Sequence, residues 1–306
     1  MKILVILTTY NGAKYIQEQI QSILDQAFVN VDIRIYDDVS KDETVNVIKH
    51  FSNDNRVKLI INKFPTGNAA HNFFNGIEDT SEDVFNQYDF VAFSDQDDIW
   101  LSNKLKAATD MLVKDHSSLY MSNLIMWEEK TNIKTIIKKA YPQKKYDFLF
   151  EGGSAGCTYV FTSKFSIELK KQIKLVNYKE WKFFSHDWFV YFFARINDYK
   201  VSIDSNSYIL YRIHDNNVYG QLNVNSLKAI KERFKLIKKG WFFEQIKGFQ
   251  TLTKDKSNEK LIYELYCRNY FTRLYVLIRY NFQLMRSSKK LLKFIIASIL
   301  TLKTKN

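Results

Sequence analysis

Tyr88-Asp89-Phe90-Val91-Ala92-Phe93-Ser94-Asp95-Gln96-Asp97-Asp98 sets an apolar run directly against a cluster of carboxylates. The run reads as a buried strand ending at Ser94. Side chains alternate faces along extended chain, so Asp95 and Asp97 project the same way from its end. Two aligned carboxylates repel each other unless a cation or a donor-rich ligand lies between them. Hard oxygen pairs suit Mg²⁺ or Mn²⁺, ions that commonly hold diphosphates. An acidic loop feeding a helix cap would use aspartate here too. The sequence on either side decides between these readings.

Upstream, Lys2 to Thr9 reads as a buried parallel strand, and Ile16, Ile20, Ile23 and Leu24 follow at helical spacing. Val31 to Tyr36 is a second apolar run, closed by Asp37-Asp38. Ser40-Lys41-Asp42-Glu43 then matches the S-x-x-E capping box of a helix running to His50. Val57 to Ile61 is a third strand, Ala69 to Ile77 is helical, and Phe90 to Ser94 is the fourth strand. This alternation predicts an open, mainly parallel α/β sheet, whose ligands bind at the carboxyl ends of the strands. Thr8-Thr9, Asp37-Asp38 and Asp95 to Asp98 all fall at such ends.

Downstream, Lys104 to Asp115 reads as helix and Leu119 to Trp127 as strand, while Lys134 to Phe150 is basic and less regular. Gly152 to Gly156 is a turn feeding a strand from Cys157 to Phe161. Ser185 caps a predicted helix from His186 to Ile196, and Val201 to Ile203 and Tyr208 to Tyr211 read as short strands. From Asn225 the pattern turns helical. Leu227, Ile230, Phe234, Ile237 and Trp241 form one stripe, with further helices expected over Lys260 to Met285 and Lys289 to Leu302.

The 306 residues can hold one large domain, or one domain plus an appendage, and 46% apolar content supplies a core rather than a disordered chain. Cys157 and Cys267 lie far apart with no C-x-x-C, which disfavours a zinc site and a disulfide scaffold and fits reduced, cytosolic thiols. Ile3 to Leu7 is too short for a signal-peptide core, and no window of about 18 residues is free of charge, so no spanning helix is expected. The net charge of +12 is uneven: residues 221–306 carry 19 Lys/Arg against 5 Asp/Glu, while the first 220 are nearly neutral. Such a tail suits nucleic acid or an anionic membrane. The neutral front and its carboxylates speak against nucleic acid.

Thr8-Thr9-Tyr10-Asn11-Gly12, Asp37-Asp38-Val39-Ser40-Lys41-Asp42-Glu43-Thr44 and Ser94-Asp95-Gln96-Asp97-Asp98-Ile99-Trp100, in that order, resemble family 2 of the inverting nucleotide-sugar glycosyltransferases. Gly156-Cys157-Thr158-Tyr159-Val160-Phe161, His186-Asp187-Trp188 and Tyr211-Arg212-Ile213-His214-Asp215-Asn216-Asn217 resemble its bacterial rhamnosyltransferase branch, which builds surface polysaccharides. The resemblance implies a GT-A-type, Rossmann-like, mainly parallel α/β sheet flanked by helices, with a C-terminal helical extension. The catalytic domain would span 1–222, with a nucleotide-sugar half to about residue 100 and an acceptor half after it, and 223–306 would form the extension.

The family pattern assigns Thr8, Tyr10, Asp38 and Asp95 to the donor. Asp38 would accept the pyrimidine N–H, although Asp37 and Asp38 also suit a helix's positive end. Asp97 and His214 match metal-binding positions for Mn²⁺ or Mg²⁺, with surface or core filling as the alternative for the histidine. Asp98 would support that pair or cap a helix. Asp187 matches the general base, although it also suits the first turn of a helix behind Ser185. Arg212 would meet phosphate or brace the acids, His186 would be structural, and Trp100 and Trp188 would pack in the core, with stacking on a sugar ring as the alternative.

The donor implied is dTDP-rhamnose or a UDP-hexose, and the acceptor a glycan or lipid-linked glycan. No Q-x-x-R-W string of processive synthases occurs, so one sugar is expected per encounter. A nucleotidyltransferase also uses paired acids, but Asn11-Gly12-Ala13-Lys14 is a poor Gly-rich basic loop. Lys289 to Ile296 suits a helix lying on an anionic membrane at the inner face of the plasma membrane. Packing against the catalytic domain or in a homodimer is the alternative.

Overall fold

In this computed structural model residues 1–214 and 240–301 are described. They divide into two units: Met1–Ala140 with Gly153–Lys179 and Ser185–Ile213, and Tyr141–Gly152 with Glu180–Phe184 and His214–Asn306.

The first unit is built on β1 (Lys2–Thr9), β2 (Asn30–Asp37), β3 (Val57–Ile61) and β4 (Phe90–Ser94), side by side in the order β3-β2-β1-β4 and all parallel. β1 is buried from Ile3 to Thr9 because both its faces are covered. Ile3, Val5 and Leu7 pack with Ile16, Ile20 and Ile23 of α1 (Ile16–Leu24). Ile6, on the opposite face, meets α3 (Ala69–Asp79), which follows α2 (Thr44–Lys49). Gly76 sets that approach: a Cβ there would lie 2.9 Å from Ile6 Cγ2 and 3.1 Å from the Tyr36 ring.

After α4 (Glu82–Phe85), β5 (Ile99–Trp100) and α5 (Lys104–Asp115), the sheet becomes mixed. β8 (Val160–Thr162) lies antiparallel between β4 and β6 (Leu119–Glu128), and β7 (Ile133–Ile137) forms a hairpin with β6. β9 (Val201–Arg212) runs parallel to β6 and carries β5 at its far end. α6 (Ser163–Ile173) and α7 (His186–Ile196) complete the unit.

Two local expectations change here. The two short strands expected between Val201 and Tyr211 are one, because shifts in register opposite Ser122, Asn123 and Ile125 absorb the polar Asp204 to Ser207 stretch. The Ser40 capping box does not form. Ser40 instead donates from its backbone N (2.9 Å) and its hydroxyl (2.5 Å) to the Asp37 carboxylate, and α2 begins behind Glu43.

In the second unit lie α8 (Trp241–Gln250), α9 (Asn258–Arg268), α10 (Tyr270–Tyr280) and α11 (Ser288–Leu300). The single helix expected over Lys260 to Met285 is broken at Asn269. Its side chain accepts from Thr272 N (2.9 Å) while its own N donates to Thr272 Oγ1 (3.2 Å), a capping box that starts a new helix. Leu227, Ile230, Phe234, Ile237 and Leu302 lie outside the described residues.

Two earlier stretches of chain join this unit through specific contacts. Phe150 packs on Tyr263, Tyr266 and Phe294, and Glu151 accepts from Arg286 N and from Lys290 Nζ (2.8 Å). Trp181 lies so close to α8 that a Cβ on Gly248 would sit 2.0 Å from its ring. No described helix is long and apolar enough to cross a membrane.

Candidate active site

Parallel β1, β2 and β4 leave the sheet at one edge, with Thr9 paired to Asp37 and Leu7 to Ser94. Thr8 is buried there, whereas the Tyr10 side chain is exposed. Thr9 Oγ1 (2.7 Å) and Tyr10 N (2.8 Å) both donate to Gln96 Oε1, which ties the end of β1 to the acidic loop. Asp38 N donates to Thr9 O (2.8 Å). The buried Asp38 carboxylate accepts from Asn62 Nδ2 (2.9 Å), Thr66 N (2.6 Å) and Gly67 N (3.1 Å). A carboxylate offers about four acceptor positions, so one on Oδ2 remains for an incoming donor. Val39, next in sequence, holds a φ of +63°, an unusual conformation for a β-branched residue and one that tends to cluster at binding sites.

Asp95 and Asp97 are partly exposed and Asp98 is buried. Ligand atoms of Asp95, Asp98 and Cys157 lie within 4.8 Å of one another. Part of the Asp95 residue reaches solvent, but burial around its carboxyl pushes it up to about 7, and the charges of Asp97 and Asp187 push the same way. That the charge of Asp187 acts on Asp95 puts the helix-borne acid of α7 near the acids at the end of β4. Asp98 is held well above the usual carboxylate range by burial and by Asp97 and Asp95. Its Oδ1 accepts from Arg212 N (3.4 Å), while among the described residues nothing donates to the buried Oδ2.

Asp98 does not cap α5, which begins behind Asn103. Beneath the acids, Lys104 Nζ stands 3.4 Å over the Trp100 ring. Burial lowers this ammonium to about 7, against the opposing pull of Cys157 and Asp98.

α7 begins at His186 because Ser185 caps it, Oγ accepting from Trp188 N (3.4 Å). Asp187 Oδ1 accepts from Ser185 Oγ and from Trp188 N (2.7 Å), and among the described residues nothing donates to its Oδ2. The His186 ring stacks on Phe73 at 4.4 Å, and its Nε2 lies 2.2 Å from where a Cβ on Gly156 would stand. Glycine at 156 therefore lets this ring fill the core and set the direction of its neighbour, Asp187. His214 lies two residues beyond β9, half-buried, in the second unit.

The raised Asp95 carboxyl has a measurable consequence. A carboxyl with a folded value above its unfolded one contributes stability below pH 4 that is lost as pH rises through about 7. In chelator, Asp95→Asn should be nearly as stable as the parent at pH 4. It should exceed the parent by a few kcal/mol at pH 7.5, since each tenfold change in proton affinity is worth roughly 1.4 kcal/mol. Paired thermal melts at both pH values test this. An equal gap at both would remove the charge repulsion from the account.

Gln96, Cys157 and Lys104 escaped notice as site residues. Strand alternation puts Gln96 opposite Asp95 and Asp97, and only the fold lays it along β1. Cys157 sits beside the acids because β8 pairs with β4, a long-range contact that no local pattern announces.

The pattern described by the model of glycosyl transferase family 2 matches residues 4–198. A dTDP-rhamnosyl transferase of Shigella flexneri is 37% identical over 255 residues, 82% of this chain and 86% of that protein. A UDP-Glc:α-D-GlcNAc-diphosphoundecaprenol β-1,3-glucosyltransferase of Escherichia coli is 32% identical over 157 residues, 51% of this chain and 58% of that one. Among solved structures, residues 1–349 of S. aureus TarS with UDP-GlcNAc superpose with a TM-score of 0.58 at 18% identity, covering 98% of this chain and 88% of that one. With strand-end acids on the sheet edge where such sheets bind ligands, the chain belongs to glycosyl transferase family 2 and is a glycosyltransferase that uses a nucleotide-sugar donor.

Proposed function

We propose that the enzyme transfers one sugar, with dTDP-rhamnose the favoured donor, to a surface-polysaccharide or lipid-linked acceptor, with inversion at the anomeric carbon. The observation that supports this reading is that the charge of Asp187 acts on Asp95, as expected of an α7 carboxylate near the donor-side acids. The Shigella relative named a dTDP-rhamnosyl transferase supports the choice of donor. The glucosyltransferase relative supports a second reading, a UDP-hexose donor.

In this proposal Thr8, Tyr10, Asp38 and Asp95 hold the nucleoside, and Asp97 and His214 hold a divalent ion, Mn²⁺ or Mg²⁺. The carboxylates of the acidic loop fit such an ion. Carboxylate oxygens gather here with mutual repulsion, and buried Asp98 Oδ2 has no hydrogen-bond partner among the described residues. Cys157 adds a soft donor to that group. A bound cation would stabilise the charge of the departing diphosphate.

Asp187 Oδ2 takes the proton of the acceptor hydroxyl as that oxygen bonds to the anomeric carbon from the face opposite the diphosphate. The sugar–phosphate bond breaks with its electron pair going to the diphosphate, and the configuration inverts. Oδ1, already held by Ser185 and Trp188, fixes the carboxylate in place for this step.

A panel of nucleotide sugars with Mn²⁺ and no acceptor tests the donor, read as slow hydrolysis. dTDP-rhamnose is expected to be consumed faster than UDP-glucose or UDP-galactose. A UDP-hexose preference would establish the second reading, and absence of binding and hydrolysis for every member would overturn both.

A further inference from the structure

The last helices of the second unit expose apolar side chains in an ordered way. On α10 and the turn after it, Phe271, Tyr275, Ile278 and Phe282 are 80%, 52%, 77% and 69% exposed. Steps of four and three residues place Phe271, Tyr275 and Ile278 along one stripe of α10, opposite the buried Arg273, Val276 and Leu277, and Phe282 follows in the turn. α11 repeats the arrangement, with Leu292, Ile296, Ile299 and Leu300 exposed and Leu291, Phe294 and Ala297 buried. Single exposed apolar residues need no explanation, but two ordered stripes on neighbouring helices do.

The charge around them identifies the occupant. From Leu265 to Asn306 the sequence holds nine Lys/Arg and no Asp or Glu. Arg268, Arg279, Lys289 and Lys293 are exposed beside the stripes. A second copy of this surface would bring cations against cations with no acid to pair them. An anionic phospholipid surface complements both features: headgroups meet the cations, and the acyl boundary takes the aromatic and aliphatic side chains. Lys and Arg stems can lie along the apolar stripe while their heads reach the phosphates.

We propose that α10 and α11 form a membrane-surface docking face for anionic phospholipid bilayers, with Phe271, Ile278, Phe282, Leu292 and Ile296 entering the interface. The docking does not depend on which sugar is transferred. It places the enzyme where a lipid-linked acceptor would lie, and in that respect it deepens the acceptor reading.

Co-sedimentation of the full chain with vesicles tests it. Binding is expected to vesicles of about 30% phosphatidylglycerol in phosphatidylcholine, to be weak to phosphatidylcholine alone, and to fall with salt. Phe271→Glu with Ile278→Glu should lower vesicle binding about tenfold or more, because it removes insertion from one stripe. Lys289→Glu with Lys293→Glu should remove the anionic preference. Both variants should keep the parent's acceptor-free hydrolysis of nucleotide sugar, which separates failed docking from failed transfer chemistry. Equal binding to neutral vesicles, no binding to either kind, or self-association of the parent that Ile278→Glu abolishes would overturn the proposal.

Discussion

Asp187→Asn is expected to lower the transfer rate by about 10²–10⁴, the usual range for losing a positioned general base. The substitution is nearly isosteric. Asn offers the same Oδ1 to Ser185 Oγ and Trp188 N, so the start of α7 keeps its geometry. Ser185 still caps the helix. Removing a negative charge from a helix's first turn costs about 0.3–1 kcal/mol, and relief of repulsion on Asp95 opposes that loss. Stability should therefore hardly change, and donor affinity should stay near the parent's, because Asp187 is assigned to the acceptor. Circular dichroism, donor titration and kcat on one preparation distinguish these effects. A folded variant that binds donor and transfers at near the parental rate would place the base elsewhere.

The parallel half of this site was legible from the sequence because local signals sufficed. Apolar runs of strand length, closed by Thr8-Thr9 in β1 and by acids in β2 and β4, marked the strands, and a serine before His-Asp-Trp marked the start of α7. What could not be read depended on long-range pairing. Cys157 reaches the acids through the antiparallel insertion of β8, and Lys104 lies beneath them through the packing of α5. Ser40 shows the opposite failure. Its local pattern matched a capping box, but the nearby Asp37 carboxylate competed for its hydroxyl and backbone N. The break at Asn269 was a signal present but outweighed, since an N-x-x-T pair is a weak mark inside a long apolar periodicity.

Arg212→Met is expected to cost more than any surface change, and the reason lies in what the guanidinium joins. It is 1% exposed and lies between the rings of Tyr15 (4.8 Å) and Trp127 (4.7 Å). Nε donates to the backbone oxygen of Asp97 (3.1 Å), and the terminal nitrogens meet Glu18 and Glu129. Those two glutamates are 57% and 43% exposed, so each ion pair contributes little on its own. The stacking on two rings, at about 0.5–2 kcal/mol each, and the hydrogen bond to Asp97 carry the energy. Methionine keeps most of the volume but loses both, and a stability loss of roughly 2–4 kcal/mol follows.

The effect on catalysis should be larger. The Asp97 carbonyl fixes the peptide from which the Asp97 side chain leaves the loop, and a shift of about 1 Å at such a site can cost 10²-fold. Arg212→Lys should fail to restore transfer, because an ammonium has neither the planar stack nor the Nε donor. Mn²⁺ titration adds a readout that a loss of folding alone does not give: affinity for the ion should fall in the lysine variant while the thermal midpoint stays above the assay temperature. If Arg212→Lys keeps the parent's ion affinity and kcat, positive charge alone suffices there, and the planar brace on the acidic loop plays no part.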